Sequence, residues 1–207
     1  DIAEDATHPF LQNRLYGRDV DTVVAAARVC ADAHLAGGVL PVLKHIPGHG
    51  RASVDSHLNL PTVTADRAAL NTKDFSPFKA LADLPMGMSA HIVFTAIDAD
   101  APATTSAAMI KVIRHDIGFD GLLMSDDISM EALSRTIGER SAASLAAGCD
   151  IVLHCNGGQN DMMQVVATCV PLTGMAKTRA DAALSQRQTP TPIDISHAVR
   201  ELEALLA

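Results

Sequence analysis

GLLMSD, at Gly121–Asp126, is a short apolar run that begins at a glycine and ends in polar residues. Three more apolar runs are likewise bounded by glycine, proline or a polar residue: VLPVLK at Val39–Lys44, MGMSAH at Met86–His91 and DIVLHC at Asp150–Cys155. Continuous apolar runs of this length are typical of strands that are buried on both faces. The four runs therefore predict the strands of a covered sheet.

Segments with helical spacing lie between these runs. Asp19–His34 has acidic residues early and apolar residues at helical spacing, and Ser106–Ile117 starts at an N-cap residue and stops at Gly118. The other candidates are Ala65–Leu84 and Met130–Ala147, then Asp161–Val170, Ala176–Arg187 and Ser196–Leu206, with Thr189–Pro192 as a loop before the last helix. Strand and helix in alternation predict βα units and a parallel sheet.

Polar residues follow the apolar runs at the points where the strands end. They are Lys44-His45, His91 and Ser125-Asp126-Asp127. In a parallel α/β barrel the carboxyl ends of the strands carry the active site. A doubly wound open sheet would place the same residues along a similar edge, so periodicity leaves both architectures open.

Composition indicates one globular domain over residues 1–207, because 48% of the residues are apolar and 19% are charged. A net charge of −8 and the lack of any Lys/Arg cluster argue against nucleic-acid binding. No apolar run reaches membrane-spanning length, so we expect no membrane partner. Four cysteines without a Cys-x-x-Cys pair predict free thiols in a reducing compartment, and we expect the protein in the cytoplasm.

KHIPGHGRASVDSHLNLP, at Lys44–Pro61, is a long polar loop that directly follows a predicted strand. Its proline and glycines forbid a regular helix, so His45 and His49 are not a helical zinc pair. Within the loop, Asp55 stands two residues before His57. A carboxylate at that spacing can accept the imidazole N–H and make the ring an acid and then a base near neutral pH. A polar turn with a local hydrogen bond explains the same residues.

The second polar segment is DGLLMSDDISM at Asp120–Met130, where a strand ends in Ser125-Asp126-Asp127. A carboxylate at that position could serve as a nucleophile, a base or a metal ligand. Asp127 could equally cap the helix predicted from Met130.

These segments together resemble the signature of glycoside hydrolase family 3, in its bacterial β-N-acetylglucosaminidase branch. KHIPGHG followed by DSH resembles the acid/base loop of that branch, and IKVIRHDIGFDGLLMSD, at Ile110–Asp126, resembles the nucleophile signature. Ser89–Ser106 and Ala146–Gly158 are similar to two further blocks, in the expected order. The resemblance covers most of the chain up to Gly158.

The resemblance implies a role for individual residues. Asp126 corresponds to the nucleophile, His57 to the acid/base and Asp55 to the partner of that histidine. Lys44 and His45 correspond to sugar-binding residues, and Arg14 matches a sugar-binding arginine by its spacing. The implied reaction is retaining hydrolysis of a terminal β-N-acetylglucosamine from peptidoglycan fragments, through a glycosyl-enzyme and without a metal ion or an organic cofactor.

The resemblance also implies an α/β fold of the (β/α)8 TIM-barrel type, of which this chain supplies the second half. A half barrel has two unpaired edges, so we expect the missing N-terminal half or another chain to complete it. Two alternative functions stay open. One is a family 3 β-glycosidase with another sugar specificity, and the other is an inactive sugar-binding remnant.

Overall fold

The computed structural model describes residues 1–190 and 192–207, apart from the side chain of Gln12. Thr191, in the predicted Thr189–Pro192 loop, lies outside the described residues. The strands are β1 (Val42–Ile46), β2 (Thr62–Val63), β3 (Met86–Ser89), β4 (Val93–Phe94), β5 (Leu122–Asp127) and β6 (Ile151–Leu153). The helices are α1 (Val20–Ala36), α2 (Arg67–Ala69), α3 (Ser76–Ala80), α4 (Ala107–Lys111), α5 (Ile137–Ala147), α6 (Gln159–Thr168), α7 (Gly174–Ser185) and α8 (Ile195–Leu206).

The main sheet has four strands in the order β1-β3-β5-β6, and each neighbouring pair is parallel. Met86 on β3 stands opposite Val42 on β1 and Leu122 on β5. Each strand contains part of one apolar run of the sequence, so the predicted parallel sheet and its strand order are confirmed. The carboxyl ends of all four strands consequently lie at one edge.

Most helices lie where the sequence predicts them, and two of them change geometry along their length. Helix α2 continues as a π-helical turn at Leu70–Asp74 before α3, and α4 continues as a π-helical turn at Val112–Ile117. Gly118 ends the second turn with φ 82°, a left-handed conformation that glycine adopts without steric cost. Long turns of this kind keep the apolar side chains of each segment on the sheet.

The predicted start of the helix Met130–Ala147 is wrong, because α5 begins at Ile137. Thr136 caps α5 through its side chain, and Glu139 bonds back to Thr136 in a capping box. The Arg140 guanidinium then donates to the carbonyls of Ile128 and Met130. Those hydrogen bonds hold the segment after β5 as a loop, although its composition suits a helix.

A second, two-stranded parallel sheet of β2 and β4 was not predicted. Both strands are two residues long, which is too short to produce a readable periodicity. The amide of Val93 donates to the carbonyl of Pro61, which extends the pairing. This small sheet ties the end of the Lys44–Pro61 loop to the segment after β3.

One face of the main sheet carries the core. Leu43, Ile46 and Leu123 pack there against side chains of the covering helices and turns, among them Phe78, Met109, Ile110, Ile113 and Phe119. Side chains alternate between the two faces of a strand, so Leu122, Met124 and Asp126 project from the other face of β5. On that second face, α7 covers Leu122 and Ile151 with Ala180 and Ala183.

The chain leaves apolar surface uncovered at its C-terminal end. Every residue of α8 is exposed, including Ile195, Val199, Leu202, Leu205 and Leu206. Strands β1 and β6 form the two edges of the sheet. Among the described residues no helix is long and apolar enough to cross a membrane.

Asp150 joins four elements through one buried carboxylate. It accepts hydrogen bonds from Arg114 at 2.7 Å, from Arg179 at 3.0 Å and from the backbone amide of Leu123 at 2.8 Å. Its side chain is 3% exposed. The carboxylate therefore links the turn after α4, the helix α7 and the starts of β5 and β6.

We predict that Asp150→Ala lowers the free energy of unfolding by about 3–5 kcal/mol, because it leaves two guanidinium groups without their buried partner. Asp120→Ala is the matched control. Asp120 pairs with the same Arg179, but its side chain is 74% exposed, so its loss should change stability little. Urea denaturation measures both. Equal losses in the two variants would contradict the role given to Asp150.

Candidate active site

The carboxylate of Asp1 holds the start of the Lys44–Pro61 loop. It accepts a hydrogen bond from Nδ1 of His45 at 2.8 Å and another from the amide of His49 at 2.7 Å. Between these residues the peptide bonds Lys44–His45 and Ile46–Pro47 are cis. A side chain at Gly50 would come within 1.7 Å of the carbonyl of Ile2, so this close approach requires glycine.

Asp55 and His57 form the predicted pair. Asp55 Oδ1 accepts from Nδ1 of His57 at 2.7 Å and from the amide of the same residue at 2.9 Å. Burial alone would raise the pKa of Asp55, but these bonds hold it below its ordinary value. An ionised carboxylate thus fixes the tautomer of His57 and leaves Nε2 to exchange a proton with a substrate.

Two contacts fasten this part of the loop to the protein. His49 Nε2 and the hydroxyl of Ser56 are 2.9 Å apart, and both residues are buried. The amide of Glu131, in the loop after β5, donates to the carbonyl of His57. The Asp55–His57 pair is therefore tied to the segment that follows Asp126.

The two neighbouring carboxylates of β5 have different environments. Asp127 is buried, and it accepts hydrogen bonds from Ser129, from the amide of Cys155 and from the side chain of Asn156. It does not cap the following helix, as the sequence allowed, because that helix begins ten residues later. Asp126 is half-buried and accepts from the amide of Asp127 at 2.8 Å.

Three buried histidines lie near Asp126. Burial lowers the pKa of His45 to about 4 and that of His49 to about 3, while the charge of Asp126 opposes the shift in both. Burial also lowers the pKa of His91, whose Nε2–H donates to the carbonyl of Asp127 and whose Nδ1 contacts the hydroxyl of Thr104. At neutral pH these rings are uncharged, so they do not neutralise Asp126.

The predicted sugar-binding residues differ in exposure. Lys44 and Arg14 are exposed, and both line a groove of about 230 Å³ beside the edge of β1. Their charges help to lower the pKa of His45, which places all three in one electrostatic neighbourhood. The His45 ring is buried, and Asp1 occupies its Nδ1, so its remaining acceptor is Nε2.

Two residues of the site were not predicted. One is Asp1, whose carboxylate contacts His45 and His49 in the loop. Phe10 lies in the 3-10 turn Pro9–Arg14, and its ring is 5.2 Å from that of His57 and 5.7 Å from that of His49. The sole sequence signal for Phe10 is an aromatic residue beside a proline in a polar stretch.

In the described residues no group of three or more His, Cys, Asp or Glu side chains is arranged to hold a metal ion. The strand-end edge carries a carboxylate on β5, and the loop that follows β5 is tied through the amide of Glu131 to the imidazole–carboxylate pair on the loop after β1. This combination defines a barrel-type α/β domain with a candidate site for nucleophilic and acid–base chemistry.

The model of the Glycosyl hydrolase family 3 N terminal domain matches residues 1–187, so the chain belongs to glycoside hydrolase family 3. Its fold is accordingly the TIM-barrel-type α/β fold of that domain. A β-hexosaminidase of Chromobacterium violaceum is 34% identical over an alignment 203 residues long, which covers 92% of this chain and 57% of the relative. A β-hexosaminidase of Alkalilimnicola ehrlichii is 40% identical over an alignment 149 residues long, which covers 70% of this chain and 42% of the relative.

Solved structures show the same fold. The family 3 β-N-acetylglucosaminidase of Paenibacillus sp. FPU-7 superposes with a TM-score of 0.83 at 25% identity, over 94% of this chain and 41% of that one. NagZ of Neisseria gonorrhoeae, in complex with N-trifluoroacetyl-D-glucosamine, gives a TM-score of 0.78 at 29% identity, over 96% and 57%. The chain thus spans about half the length of the relatives that it matches.

We predict that the free energy of unfolding decreases as the pH is lowered below about 6.5, because the buried histidines bind protons in this range only after unfolding. Between that value and the folded pKa values of about 4 and about 3, the unfolded state carries more protons. Each histidine should contribute a slope of about 1.4 kcal/mol per pH unit.

Urea denaturation at several pH values between 5 and 7.5 measures this slope. His49→Asn should reduce the slope by the contribution of about one proton-binding histidine. His115→Asn, at an exposed position, should leave the slope unchanged. A stability that stays constant over this range would contradict the neutral, buried state of the three rings.

Proposed function

We propose that the protein carrying this chain is a retaining β-N-acetylhexosaminidase that removes terminal β-linked N-acetylglucosamine. The observation that carries the proposal is the 2.7 Å hydrogen bond between Asp55 and His57, on a loop tied to the segment after Asp126. The relatives named β-hexosaminidases support the same activity.

Asp126 is the proposed nucleophile. It lies at the carboxyl end of β5, on the face of the sheet opposite to the core, and the nearby histidines are neutral at pH 7. Its carboxylate attacks the anomeric carbon, the bond from that carbon to the aglycone oxygen breaks, and a glycosyl ester forms. An ionised carboxylate is required for this step.

His57 is the proposed acid and base. It gives a proton to the departing aglycone oxygen in the first step, and in the second it takes a proton from the water that attacks the ester. Asp55 keeps the imidazole in one tautomer through both steps. A histidine in this role avoids a second negative charge beside Asp126.

Sugar binding is assigned to Arg14, Lys44 and His45. Arg14 and Lys44 are exposed cations that can donate to sugar hydroxyls. His45 is complementary, because its Nδ1 donates to Asp1 and its neutral Nε2 can accept from a hydroxyl. The three residues together supply donors and an acceptor to one sugar ring.

The natural substrate and the location follow as further proposals. We assign the substrate to peptidoglycan-derived saccharides or muropeptides, in line with the resemblance to the bacterial β-N-acetylglucosaminidase branch. A cytoplasmic location is supported by the cysteines, because Cys30, Cys149, Cys155 and Cys169 are all free thiols.

Completion of the barrel is the other part of the proposal. Unpaired strand edges and uncovered apolar helices are costly in water, and this chain has two such edges and the exposed helix α8. The groove beside β1 is lined by apolar side chains such as Leu43, Phe78 and Leu81, which suits a further strand. We therefore place additional strands, from the same polypeptide or another chain, against β1 and β6.

In the complete protein, Asp126→Ala should abolish hydrolysis of an aryl β-N-acetylglucosaminide, since no ester can form. His57→Ala should lower kcat/KM by about 10²–10⁴-fold for a disaccharide, and far less for an aryl substrate with a very good leaving group. Asp55→Ala should give a milder form of the same pattern. Steady-state kinetics and mass spectrometry of the trapped ester measure these effects.

Ester should accumulate in His57→Ala with the activated substrate, because the second step lacks its base. If His57→Ala harmed both substrates equally and no ester appeared, His57 would lose the acid/base role. If Asp127→Ala were inactive while Asp126→Ala kept full activity, the neighbouring carboxylate would be the nucleophile.

Residues 1–207 alone should self-associate or precipitate, because β1, β6 and α8 present apolar surface and unpaired backbone groups. Sedimentation velocity over a range of dilutions measures this. Adding the rest of the barrel should yield a defined species that hydrolyses the aryl substrate. A compact, stable monomer of the 207 residues at high dilution would contradict the need for further strands.

A further inference from the structure

Phe10 lies at the centre of an aromatic and basic cluster that links two distant parts of the sequence. Its ring is 5.2 Å from the imidazole of His57, at an interplanar angle of 79°, and 5.7 Å from that of His49, at 85°. The guanidinium of Arg14 lies 5.6 Å from the centre of the same ring. One side chain thus touches the proposed acid/base and a proposed sugar-binding residue.

We propose that Phe10 is a positioning residue, which holds the imidazole of His57 in its reactive orientation and couples it to Arg14. This inference rests on the proposed function, because it assigns a task to Phe10 in the same reaction. It concerns orientation, since Phe10 has no group that could exchange a proton or bond to a sugar.

Apart from Phe10, little holds the imidazole of His57 in place. The His57 side chain is 48% exposed, and its hydrogen-bond partner Asp55 belongs to the same loop, so the pair can move as a unit. The contact of Glu131 fastens the His57 carbonyl and leaves the ring free. Of the hydrogen-bonding and aromatic partners of this ring in the described chain, only Phe10 comes from outside the loop.

Phe10 itself is well placed to act as a fixed reference. It follows Pro9 in the 3-10 turn Pro9–Arg14, and its neighbour Leu11 is fully buried. The ring of His49, which Phe10 also contacts, is buried and hydrogen-bonded to Ser56. Phe10 therefore lies between a buried leucine in its own turn and the buried ring of His49, while the imidazole of His57 that it contacts is exposed.

The strength of the contact suits a group that must act in two successive steps. An edge-to-face aromatic pair shifts a local equilibrium by roughly two- to tenfold. Such a bias favours one orientation of His57 without locking the loop, which must readjust between proton donation and proton removal. Because Arg14 lies over the same ring, a sugar that orders Arg14 also orders Phe10 and the imidazole.

The test uses the complete protein that contains this chain. Phe10→Leu and Phe10→Met remove the ring and keep apolar volume, and Phe10→Tyr keeps the ring. His115→Leu is the control, because His115 is an exposed aromatic ring in the turn after α4 and does not line the groove of Arg14 and Lys44. Thermal unfolding first verifies that each variant is folded, and the second ring-deleting variant replaces the first if one fails.

The kinetic readout is kcat/KM for two aryl β-N-acetylglucosaminides, one with a good and one with a poor leaving group. Phe10→Leu should lower the value for the poor leaving group about tenfold and the value for the good one less than twofold, since only the former needs the proton of His57. Phe10→Tyr and His115→Leu should match the parent protein. Equal losses for both substrates in Phe10→Leu would overturn the proposal.

A second readout is independent of activity. Hydrogen–deuterium exchange of the amides at 52–60 should be faster in Phe10→Leu than in the parent protein and unchanged in His115→Leu. If the parent protein hydrolysed neither substrate, the proposed function would fail while the exchange experiment still tested the contact. If exchange at 52–60 were unchanged in both ring-deleting variants, Phe10 would not hold the loop and the inference would be wrong.

Discussion

The carboxylate of Asp127 is the constraint on which the strand-end edge depends. It accepts hydrogen bonds from Ser129 in the loop after β5 and from Cys155 and Asn156 after β6, while the carbonyl of the same residue accepts from His91 after β3. Burial would raise the pKa of Asp127, but these donors hold it below its ordinary value. The ionised side chain thus joins the ends of β5 and β6, and the backbone carbonyl of the same residue adds the end of β3. Asp126 takes no part in these bonds.

Charge at this edge is arranged by burial more than by pairing. His45, His49 and His91 are close to Asp126, but their buried rings stay neutral at pH 7 and provide shape and hydrogen bonds without a compensating charge. The imidazole of His57 is exposed and has its own carboxylate partner, Asp55. Among the described residues, Asp126 is therefore a carboxylate without a cationic partner, and His57 is a separate group that can carry a proton. The proposed two-step displacement requires both.

The sequence predicted the parts of the fold that rest on long, repeated patterns. Four apolar runs with polar ends sufficed for the sheet and for the edge that holds Lys44, His57 and Asp126. The start of α5 was missed because hydrogen bonds from Arg140 to the carbonyls of Ile128 and Met130 override local helix propensity. Phe10 was missed for a related reason. The two loop histidines that it contacts are more than thirty residues away, and no local sequence pattern indicates such a contact.

The two faces of the sheet separate a closed core from the surface on which Asp126 lies. The core between the sheet and the helices α3 and α4 is closed, and Asp150 fastens its far end. Asp126 projects from the opposite face, on which α7 covers Leu122 and Ile151. The edge strands β1 and β6 and the exposed helix α8 still offer surface to bury. Because the closed core and Asp126 lie on different faces of the same strands, the core can fix the position of this carboxylate without covering the carboxyl end of β5.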